Sequence, residues 1–600
     1  MGPNKTDRLA PRRNVSLGLC LLACCLGLAW TGCGGDDRPS VILVIMDTTR
    51  HDRLGCTGYE RATTPTLDSL ATSGVRFANC VTAAPVTGPA ITTILSSALP
   101  PVHGVRDNRR FVLNEKLGLL AESFRDAGYQ TGAVVGAVPL LARFGYDRGF
   151  TSYDDDFAAD PYRIHDPVFA GQAPDLRESE RRATAVTERA LNWLQQSSGR
   201  RPCFLLAHYF DPHGPFDPPP LYAALHPADP YDAEIAYMDA EIGRLLAGAR
   251  GILGGAEKVR VVAVADHGEG LFEHNEMAHG FFVYDSTVKV PLIFSGTAAS
   301  PGLTVTGAMR TIDIAPTVCG WCGVTPPATF SGQDLTTALN GAALPAACDT
   351  AYVETFWTQL HYSWAPLQCL RTTGWKWIKA PRPELYALGV DPAEAVNLAG
   401  SGAPAEPTLR SRLEAFLAAA AVTNQQLGAS RGEIDPDLER RLQALGYVSG
   451  QQHDSVVPNY DLPDPKDGNR QWNPTERRQQ HLQAARLLYQ HERVEDAAQR
   501  LRLAAEIEPL TRSDAALLGL LLSQTRQFPA ALDAYERAFR TESEPDGRAF
   551  IRLEMIRLLI ALDRQDTARA HLDTLCKNPS LPASILELLP RLAAQLPESD

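Results

Sequence analysis

Three runs that are apolar at every position except Ser40 and Arg260 constrain the fold of this chain more than any other feature. They cover residues 40–46, 203–207 and 259–265, and helical patterns lie between them. A strand that is apolar at every position is buried on both faces, which is typical of a parallel sheet covered by helices. The sequence therefore predicts an α/β domain with a mainly parallel central sheet flanked by helices.

Acidic residues follow two of these runs directly. Asp47 comes after the first run, and Asp266 with His267 comes after the third. Ligand sites of parallel α/β sheets lie at the carboxyl ends of the strands. We therefore expect these three side chains to mark a functional site.

The composition excludes some classes of protein. The 600 residues are 44% hydrophobic and 21% charged, which is enough apolar surface for a large core and rules out a globally disordered chain. There are 57 Lys and Arg against 70 Asp and Glu, a net charge of −13. This acidic balance argues against a nucleic-acid partner.

The first 33 residues have the pattern of an export signal. A basic stretch precedes an apolar run over residues 15–30, and Gly32-Cys33 follows. This resembles the bacterial lipoprotein box, in which Cys33 would be lipidated and would anchor the protein to a membrane, although Trp30 replaces the usual Leu. An uncleaved anchor and an ordinary cleaved signal are the alternatives. Each of them places the body outside the cytoplasm, in the periplasm or at the cell surface.

The rest of the chain divides into two bodies and a connection. Residues 38–433 form the predicted α/β domain, residues 434–474 a short helix and a Pro-rich linker, and residues 475–600 an all-α domain. In the last part a pattern recurs after 34 residues (531 − 497), and its positions are Ala497, Leu501 and Ala504, then Ala531, Tyr535 and Ala538. This period resembles the tetratricopeptide repeat, which implies a surface for a protein partner. An ordinary helical bundle is the alternative.

A series of short motifs carries the chemistry of the first body. In chain order they are residues 47–55, 64–71, 74–77, 84–90, 101–105, 210–216, 266–269, 279–280 and 284–291. The ordered series resembles the sulfatase family of the alkaline phosphatase superfamily, and the resemblance extends to about residue 400. It implies an enzyme that holds a divalent metal ion beside a nucleophile at a helix N-terminus.

The resemblance assigns roles to individual residues. The metal-ligand positions are Asp47, Thr87, Asp266 and His267, and Thr87 also occupies the nucleophile position beside the ion. Two carboxylates with one imidazole suit a single Mn²⁺, Zn²⁺ or Ca²⁺ ion.

Further residues are predicted to act on the substrate. His213 matches a family histidine that contacts the transferred group or the leaving oxygen, and His279 could protonate that oxygen. His103 and Asn108 are predicted to line the pocket as substrate-binding residues.

The nucleophile segment departs from the usual family pattern. Most sulfatases have Cys or Ser in a Cys/Ser-x-Pro-x-Arg motif, and this residue is converted to formylglycine. Here Thr87 begins the segment and Ile91 ends it. Threonine cannot become the aldehyde in the same way, and Ile91 supplies no charge. A threonine with these metal ligands instead resembles the phosphodiesterase and phosphoethanolamine-transferase branches, which form a phospho-threonine intermediate.

These features predict a metal-dependent hydrolase of sulfuric or phosphoric esters that attacks through Thr87. The substrate would be a sulfated or phosphorylated small molecule or glycan. Two alternatives stay open. One is a transferase that moves a phospho-group to an envelope acceptor, and the other is a catalytically degenerate scaffold that carries a repeat module.

Overall fold

The computed structural model of the protein describes most of the chain. The described residues are 36–157, 179–432, 436–444, 456–467, 478, 481–482, 485–486, 488–489 and 494–596, except for positions 62, 110, 198, 200, 215, 227–228, 272, 277, 543–544 and 579–580. The predicted signal, with Cys33, lies outside them. None of the described helices is both long and apolar enough to cross a membrane.

The described strands form a nine-stranded sheet, a four-stranded sheet and a two-stranded sheet. The strands are β1 Ser40–Met46, β2 Gly74–Val81, β3 Phe111–Val112, β4 Gln130–Val134, β5 Ser152–Asp154, β6 Cys203–Tyr209, β7 Val259–Ala265, β8 Lys289–Val290, β9 Leu292–Ser295, β10 Leu303–Arg310, β11 Ala351–Thr355, β12 Leu367–Arg371, β13 Trp375–Lys379, β14 Glu384–Ala387 and β15 Ser430–Arg431.

The nine-stranded sheet has the order β10-β2-β9-β7-β1-β6-β4-β5, with β8 beside β2. The central strand β1 is parallel to both neighbours, so that Met46 lies opposite Tyr209 on β6 and Ala265 on β7. Strands β8 and β9 run antiparallel to β2, and β9 also runs antiparallel to β7. The predicted α/β sheet with flanking helices is confirmed. The sheet is mixed, because it contains both parallel and antiparallel strand pairs.

Most helices of the first body flank this sheet, while the helix Ala405–Leu427 packs on the four-stranded sheet. Their bounds are Pro65–Ser73, Thr87–Ser96, Pro100–His103, Leu120–Asp126, Ala183–Ser197, Pro220–Leu225, Pro230–Leu253, Asp285–Val288, Ile314–Cys322, Trp357–Tyr362, Ala405–Leu427 and Pro436–Ala444. All seven residues of β1 are buried, as the apolar run predicted, and they lie in the main hydrophobic core with residues of these helices.

The small sheet of β11 to β14 is antiparallel and was not predicted. Part of the predicted linker, residues 456–467, packs on it. The carbonyl of Val457 accepts a hydrogen bond from Gln359, the hydroxyl of Tyr460 donates to Gln368, and Asp464 accepts from the backbone N–H of Arg382. The prolines remove helix and strand patterns from this segment, but they do not prevent it from packing.

The C-terminal helices have their own hydrophobic core. Their bounds are Val494–Ile507, Arg512–Gln524, Phe528–Thr541, Pro545–Ala561, Gln565–Cys576, Ala583–Leu586 and Leu589–Ala593. The six residues of the recurring pattern are buried there. A helical C-terminal region is therefore present, and its assignment to the tetratricopeptide class stays a prediction.

Candidate active site

The central sheet brings the two strand-end motifs together. Strands β1 and β7 are neighbours, so Asp47 and Asp266 leave the same edge of the sheet side by side. One ligand atom from each of Asp47, Asp266 and His267 lies within 4.8 Å of the others, and all three side chains are fully buried. Among the described residues, Asp47 Oδ1 and Asp266 Oδ2 have no hydrogen-bond partner. Buried oxygens without partners are costly, and a bound cation would satisfy them.

The backbone fixes the proton position on His267. Its Nδ1 lies 2.9 Å from the carbonyl oxygen of Gly268. A carbonyl only accepts, so the neutral ring carries its hydrogen on Nδ1 and turns the Nε2 lone pair toward the two carboxylates. This is the state that a metal ligand needs.

Thr87 begins the helix Thr87–Ser96 at this edge of the sheet. Pro89 lies in its first turn, where a missing N–H costs no helical hydrogen bond. Thr87 Oγ1 is 3.5 Å from Asp47 Oδ2 and 3.4 Å from His267 Nε2. The helix N-terminus and an ion in the cluster would both favour an anionic group at this hydroxyl.

The electrostatics of the cluster show a shortage of positive charge. Burial, and then repulsion from Glu269, raises the pKa of Asp47 well above its usual value. Burial and repulsion from Asp47 raise the pKa of Asp266 to about 8. Neither carboxylate pairs with a lysine or arginine among the described residues. The residues therefore fit a divalent cation, which would supply the missing charge.

The two predicted catalytic histidines lie next to this cluster. The ring centroid of His279 is 4.4 Å from that of His267 and 5.2 Å from that of His213. Nδ1 of His279 lies 3.2 Å from Glu269 Oε1, while Nδ1 of His213 lies 2.7 Å from the carbonyl oxygen of Gly214. Both rings are thus held through Nδ1.

The two predicted substrate-binding residues have different positions. Asn108 Oδ1 accepts the N–H of Gly88, next to Thr87, and its buried Nδ2 has no partner in the structure. This placement suits a donor to the transferred group. His103 is fully buried, accepts the N–H of Val105 at Nδ1 and contacts Thr93 Oγ1 through Nε2. Both ring nitrogens are used inside the fold, so the geometry gives the prediction for His103 no support.

Two residues of the site escaped the sequence analysis. His208 Nε2 is 3.1 Å from Asp47 Oδ2, and its Nδ1 accepts the N–H of Gly136. Glu269 holds His279 and stands only two positions after His267. The one signal for His208 was a titratable residue inside an otherwise apolar strand.

Comparison with known proteins agrees with the family resemblance that the sequence motifs indicated. Residues 39–324 match the family model described as Sulfatase. This match supports a place for this part of the chain in the sulfatase/alkaline phosphatase superfamily. An ulvan-active sulfatase of Formosa agariphila is 25% identical to the chain over 454 residues, which are 70% of this chain and 86% of the relative. Arylsulfatase K of Bos taurus is 28% identical over 203 residues, which are 31% of this chain and 36% of that protein.

Solved structures share the sulfatase-like fold. A 2-O GAG sulfatase has a TM-score of 0.53 at 19% identity and covers 71% of this chain and 99% of its own. The phosphonate monoester hydrolase of Agrobacterium radiobacter has a TM-score of 0.54 at 20% identity and covers 64% and 96%. The protein is a sulfatase-like ester hydrolase.

Proposed function

We propose that the protein hydrolyses sulfuric or phosphoric esters through Thr87, beside a divalent cation held by Asp47, Asp266 and His267. The observation that carries this proposal is the position of the Thr87 hydroxyl. Thr87 is the first residue of a helix, and its hydroxyl oxygen lies within 3.5 Å of both Asp47 Oδ2 and the Nε2 atom of His267.

The ion would be Mn²⁺, Zn²⁺ or Ca²⁺. When bound, it would lower the pKa of the threonine hydroxyl and neutralise charge on the transferred group. The oxygens without partners, Asp47 Oδ1 and Asp266 Oδ2, lie 3.9 Å and 3.5 Å from His267 Nε2, and these three atoms would form the ligand set.

The chain's own side chains account for the proton transfers. The Thr87 oxygen forms a bond to sulfur or phosphorus, and its proton passes to Asp47 Oδ2, 3.5 Å away. The bond to the ester oxygen breaks, and the leaving alcohol takes a proton from the histidine pair His279 and His213. Water then attacks the threonine ester and gives a proton to this pair, the bond between sulfur or phosphorus and the Thr87 oxygen breaks, and this oxygen takes back the proton from Asp47 as sulfate or phosphate leaves.

Two kinds of relative support the two substrate classes. The ulvan-active sulfatase and arylsulfatase K are named for sulfate esters, and the hydrolase of Agrobacterium radiobacter is named for phosphonate monoesters. Because Thr87 cannot form the usual aldehyde, we expect phosphorus esters to react at least as readily as sulfate esters.

A panel of 4-nitrophenyl esters tests the proposal. Sulfate, phosphate monoester, phosphodiester and phosphonate would be offered to the intact protein with Mn²⁺, Zn²⁺, Ca²⁺ or a chelator. We expect turnover of at least one ester, its loss with chelator, and its loss in Thr87→Ala with metal binding largely kept. Thr87→Ser is the matched control and should keep part of the activity because it keeps the hydroxyl.

Other outcomes separate the alternatives. Unchanged turnover in Thr87→Ala would exclude threonine as the nucleophile. Product that forms only when an acceptor alcohol is supplied would indicate a transferase. Absence of turnover on every ester, with or without metal, would indicate a degenerate scaffold.

We also propose that the protein is exported and anchored by a lipid on Cys33, and that the C-terminal helices bind a protein partner. Both proposals rest on the sequence patterns, namely the basic and apolar signal with its cysteine and the 34-residue period (531 − 497). Metabolic lipid labelling of the wild type against Cys33→Ala tests the first. Label of equal intensity in both proteins would exclude it.

A further inference from the structure

A pocket with two arginines lies in the C-terminal helical region and shares no residue with the catalytic cluster. Arg548 and Arg552 line it from the helix Pro545–Ala561, and Thr574 and Asn578 line it from the last turn of the next helix and the residues after it. Its volume is about 250 Å³. A pocket of this size holds a small ion together with several water molecules, since each water takes about 30 Å³.

The ring of Phe539 contacts both guanidinium groups. The guanidinium carbon of Arg548 lies 4.2 Å from the ring centroid, and that of Arg552 lies 4.9 Å from it. An aromatic face attracts cations without neutralising them. Arg548 also donates from Nη1 to the backbone carbonyls of Phe539 and Glu542, at 3.4 Å and 2.8 Å. Two positive charges four positions apart on one helix repel each other, so this arrangement is unfavourable unless an anion offsets it.

The described part of the chain offers these two arginines no carboxylate partner. The buried Nε atom of Arg552 makes no hydrogen bond there. Two acidic residues of the same region are paired elsewhere. Glu542 contacts Arg512, and Glu554 contacts Arg557, each at 2.7 Å.

The excess of positive charge affects the titratable groups around the pocket. Burial, and then repulsion from Arg548, lowers the pKa of Arg552. Burial, and then repulsion from Arg552, lowers the pKa of His571. The whole chain has a net charge of −13, so a pocket that holds two cations and no acid differs from the rest of the protein.

The donors and the charge of the pocket select its ligand. Thr574 donates its hydroxyl proton to the carbonyl of Ala570, which leaves the guanidinium N–H groups as the main donors. Planar guanidinium groups match the oxygens of carboxylates, sulfates and phosphates. A carboxylate brings two oxygens and one negative charge, whereas a phosphate group or a sulfate ion brings at least three oxygens and up to two charges. Two cations without a carboxylate therefore favour a tetrahedral dianion.

We propose that this pocket binds a tetrahedral oxyanion, which is either inorganic sulfate or phosphate or a phosphate monoester group of a larger molecule. The anion offsets the charges of Arg548 and Arg552 and accepts hydrogen bonds from both. Sulfate and phosphate are also the ions that the proposed hydrolysis releases. Because the pocket shares no residue with the active site, its test does not depend on turnover.

Calorimetric titration of the metal-loaded, full-length protein with sodium sulfate and with sodium phosphate tests the proposal. Anion binding at the active site is common to the wild type and to every variant of this pocket. We expect a second binding event in the wild type, and Arg552→Gln should weaken it by about tenfold to hundredfold because charged hydrogen bonds are lost. Arg557→Gln is the matched control, since it removes the same charge from the same helix at a residue that pairs with Glu554. Identical isotherms in the three proteins would overturn the proposal.

A second variant and a second readout keep the test decisive. Arg548→Gln should weaken the same binding event and replaces Arg552→Gln if circular dichroism shows that the latter does not fold. Turnover of 4-nitrophenyl esters should be unchanged in both variants, because neither residue belongs to the catalytic body. Loss of turnover together with loss of anion binding in a folded variant would overturn a separate site.

Two further probes identify the class and the source of the ligand. Methylphosphonate has the tetrahedral end of a phosphate monoester and cannot be hydrolysed as an ester, and succinate carries two carboxylates. Binding of methylphosphonate that Arg552→Gln weakens would support a phosphate group on a larger molecule. Binding of the inorganic ions alone would support free sulfate or phosphate. Succinate that binds the pocket at least as tightly as sulfate would overturn the preference for a tetrahedral anion.

Discussion

Two histidines in the site have opposite proton positions, and the backbone determines both. The carbonyl of Gly268 holds the hydrogen of His267 on Nδ1, while the N–H of Gly136 occupies Nδ1 of His208. His208 therefore carries its hydrogen on Nε2 and donates it to Asp47 Oδ2 at 3.1 Å. At the scale of single residues, His267 is prepared to bind a cation and His208 to hold one of the ligands.

We predict that His208→Ala weakens metal binding by about tenfold to hundredfold, because Asp47 loses the hydrogen bond that orients it. Calorimetric titration of the metal-free protein with Mn²⁺ measures this. His208→Gln retains an N–H donor and should recover part of the affinity. Equal affinity in the wild type and in His208→Ala would show that Asp47 is held without this histidine.

At the scale of elements, two helical glycines differ in whether the surrounding packing leaves room for a side chain. Gly519 lies in the helix Arg512–Gln524, and a Cβ there would come within 2.7 Å of the buried ring of Tyr535. Gly251 lies near the end of the helix Pro230–Leu253, and a Cβ there would meet nothing within 4 Å. The two positions therefore form a matched pair for the same substitution.

We predict opposite signs for these substitutions. Gly251→Ala should raise the free energy of unfolding by up to about 1 kcal/mol, because alanine loses less backbone entropy in a helix. Gly519→Ala should lower it by about 1–3 kcal/mol, because the tyrosine ring cannot move aside. Urea unfolding followed by circular dichroism measures both. A stabilised Gly519→Ala protein would show that the helices Arg512–Gln524 and Phe528–Thr541 can move apart enough to accept the additional methyl group.

A buried ion cluster joins the small sheet to the helix Asp285–Val288. Lys376 is fully buried and lies 2.6 Å from Asp285 and 2.7 Å from Glu394, and Arg371 lies 2.7 Å from Asp285. Burial alone would raise the pKa of Asp285, but the attraction of Lys376 and Arg371 holds it well below its usual value. A carboxyl with a depressed pKa stabilises the fold above its unfolded pKa, near 4, and this contribution is lost as the pH falls.

We predict that Lys376→Met lowers the free energy of unfolding by about 3–5 kcal/mol at pH 7, because it leaves the buried Glu394 without its cation and Asp285 with Arg371 alone. The deficit should shrink as the pH falls toward 4, where a proton can replace the lost charge. Urea unfolding at both pH values measures this. Lys258→Met is the control, since its pair with Asp37 is exposed and should be worth under about 1 kcal/mol. A deficit that does not change with pH would contradict the assignment.

At the scale of the whole molecule, the two bodies have separate hydrophobic cores. The catalytic cluster lies entirely in the first, while residues 456–467 complete the small sheet of that body. Lys466 forms an ion pair with the buried Glu384 at 2.6 Å. The end of the catalytic body therefore lies within the segment that the sequence indicated as a linker.

We predict that a chain cut after residue 474 keeps full ester turnover, whereas a chain cut after residue 455 loses stability and with it turnover. The second cut removes Asp464 and Lys466 from the small sheet. Thermal unfolding and 4-nitrophenyl ester turnover, measured on both chains, give the comparison. Loss of turnover in the longer chain would show that the helical region is part of the active fold.

The α/β class and the main residues of the site could be predicted from the amino-acid sequence alone. The strands β1 and β7 have the predicted bounds, and the acidic residues after them meet at one edge, because burial on both faces leaves a continuous apolar run in the sequence. The start of a helix at Thr87 also follows from local chemistry, since Pro89 fits only the first turn.

The contacts around these site residues could not be predicted from the sequence and became apparent only in the folded structure. The contact of His208 with Asp47 joins residues 161 positions apart in the sequence. The burial of His103 against Thr93 likewise depends on packing. Contacts of this kind leave no periodic or local signature, because each depends on which elements the folded sheet places side by side.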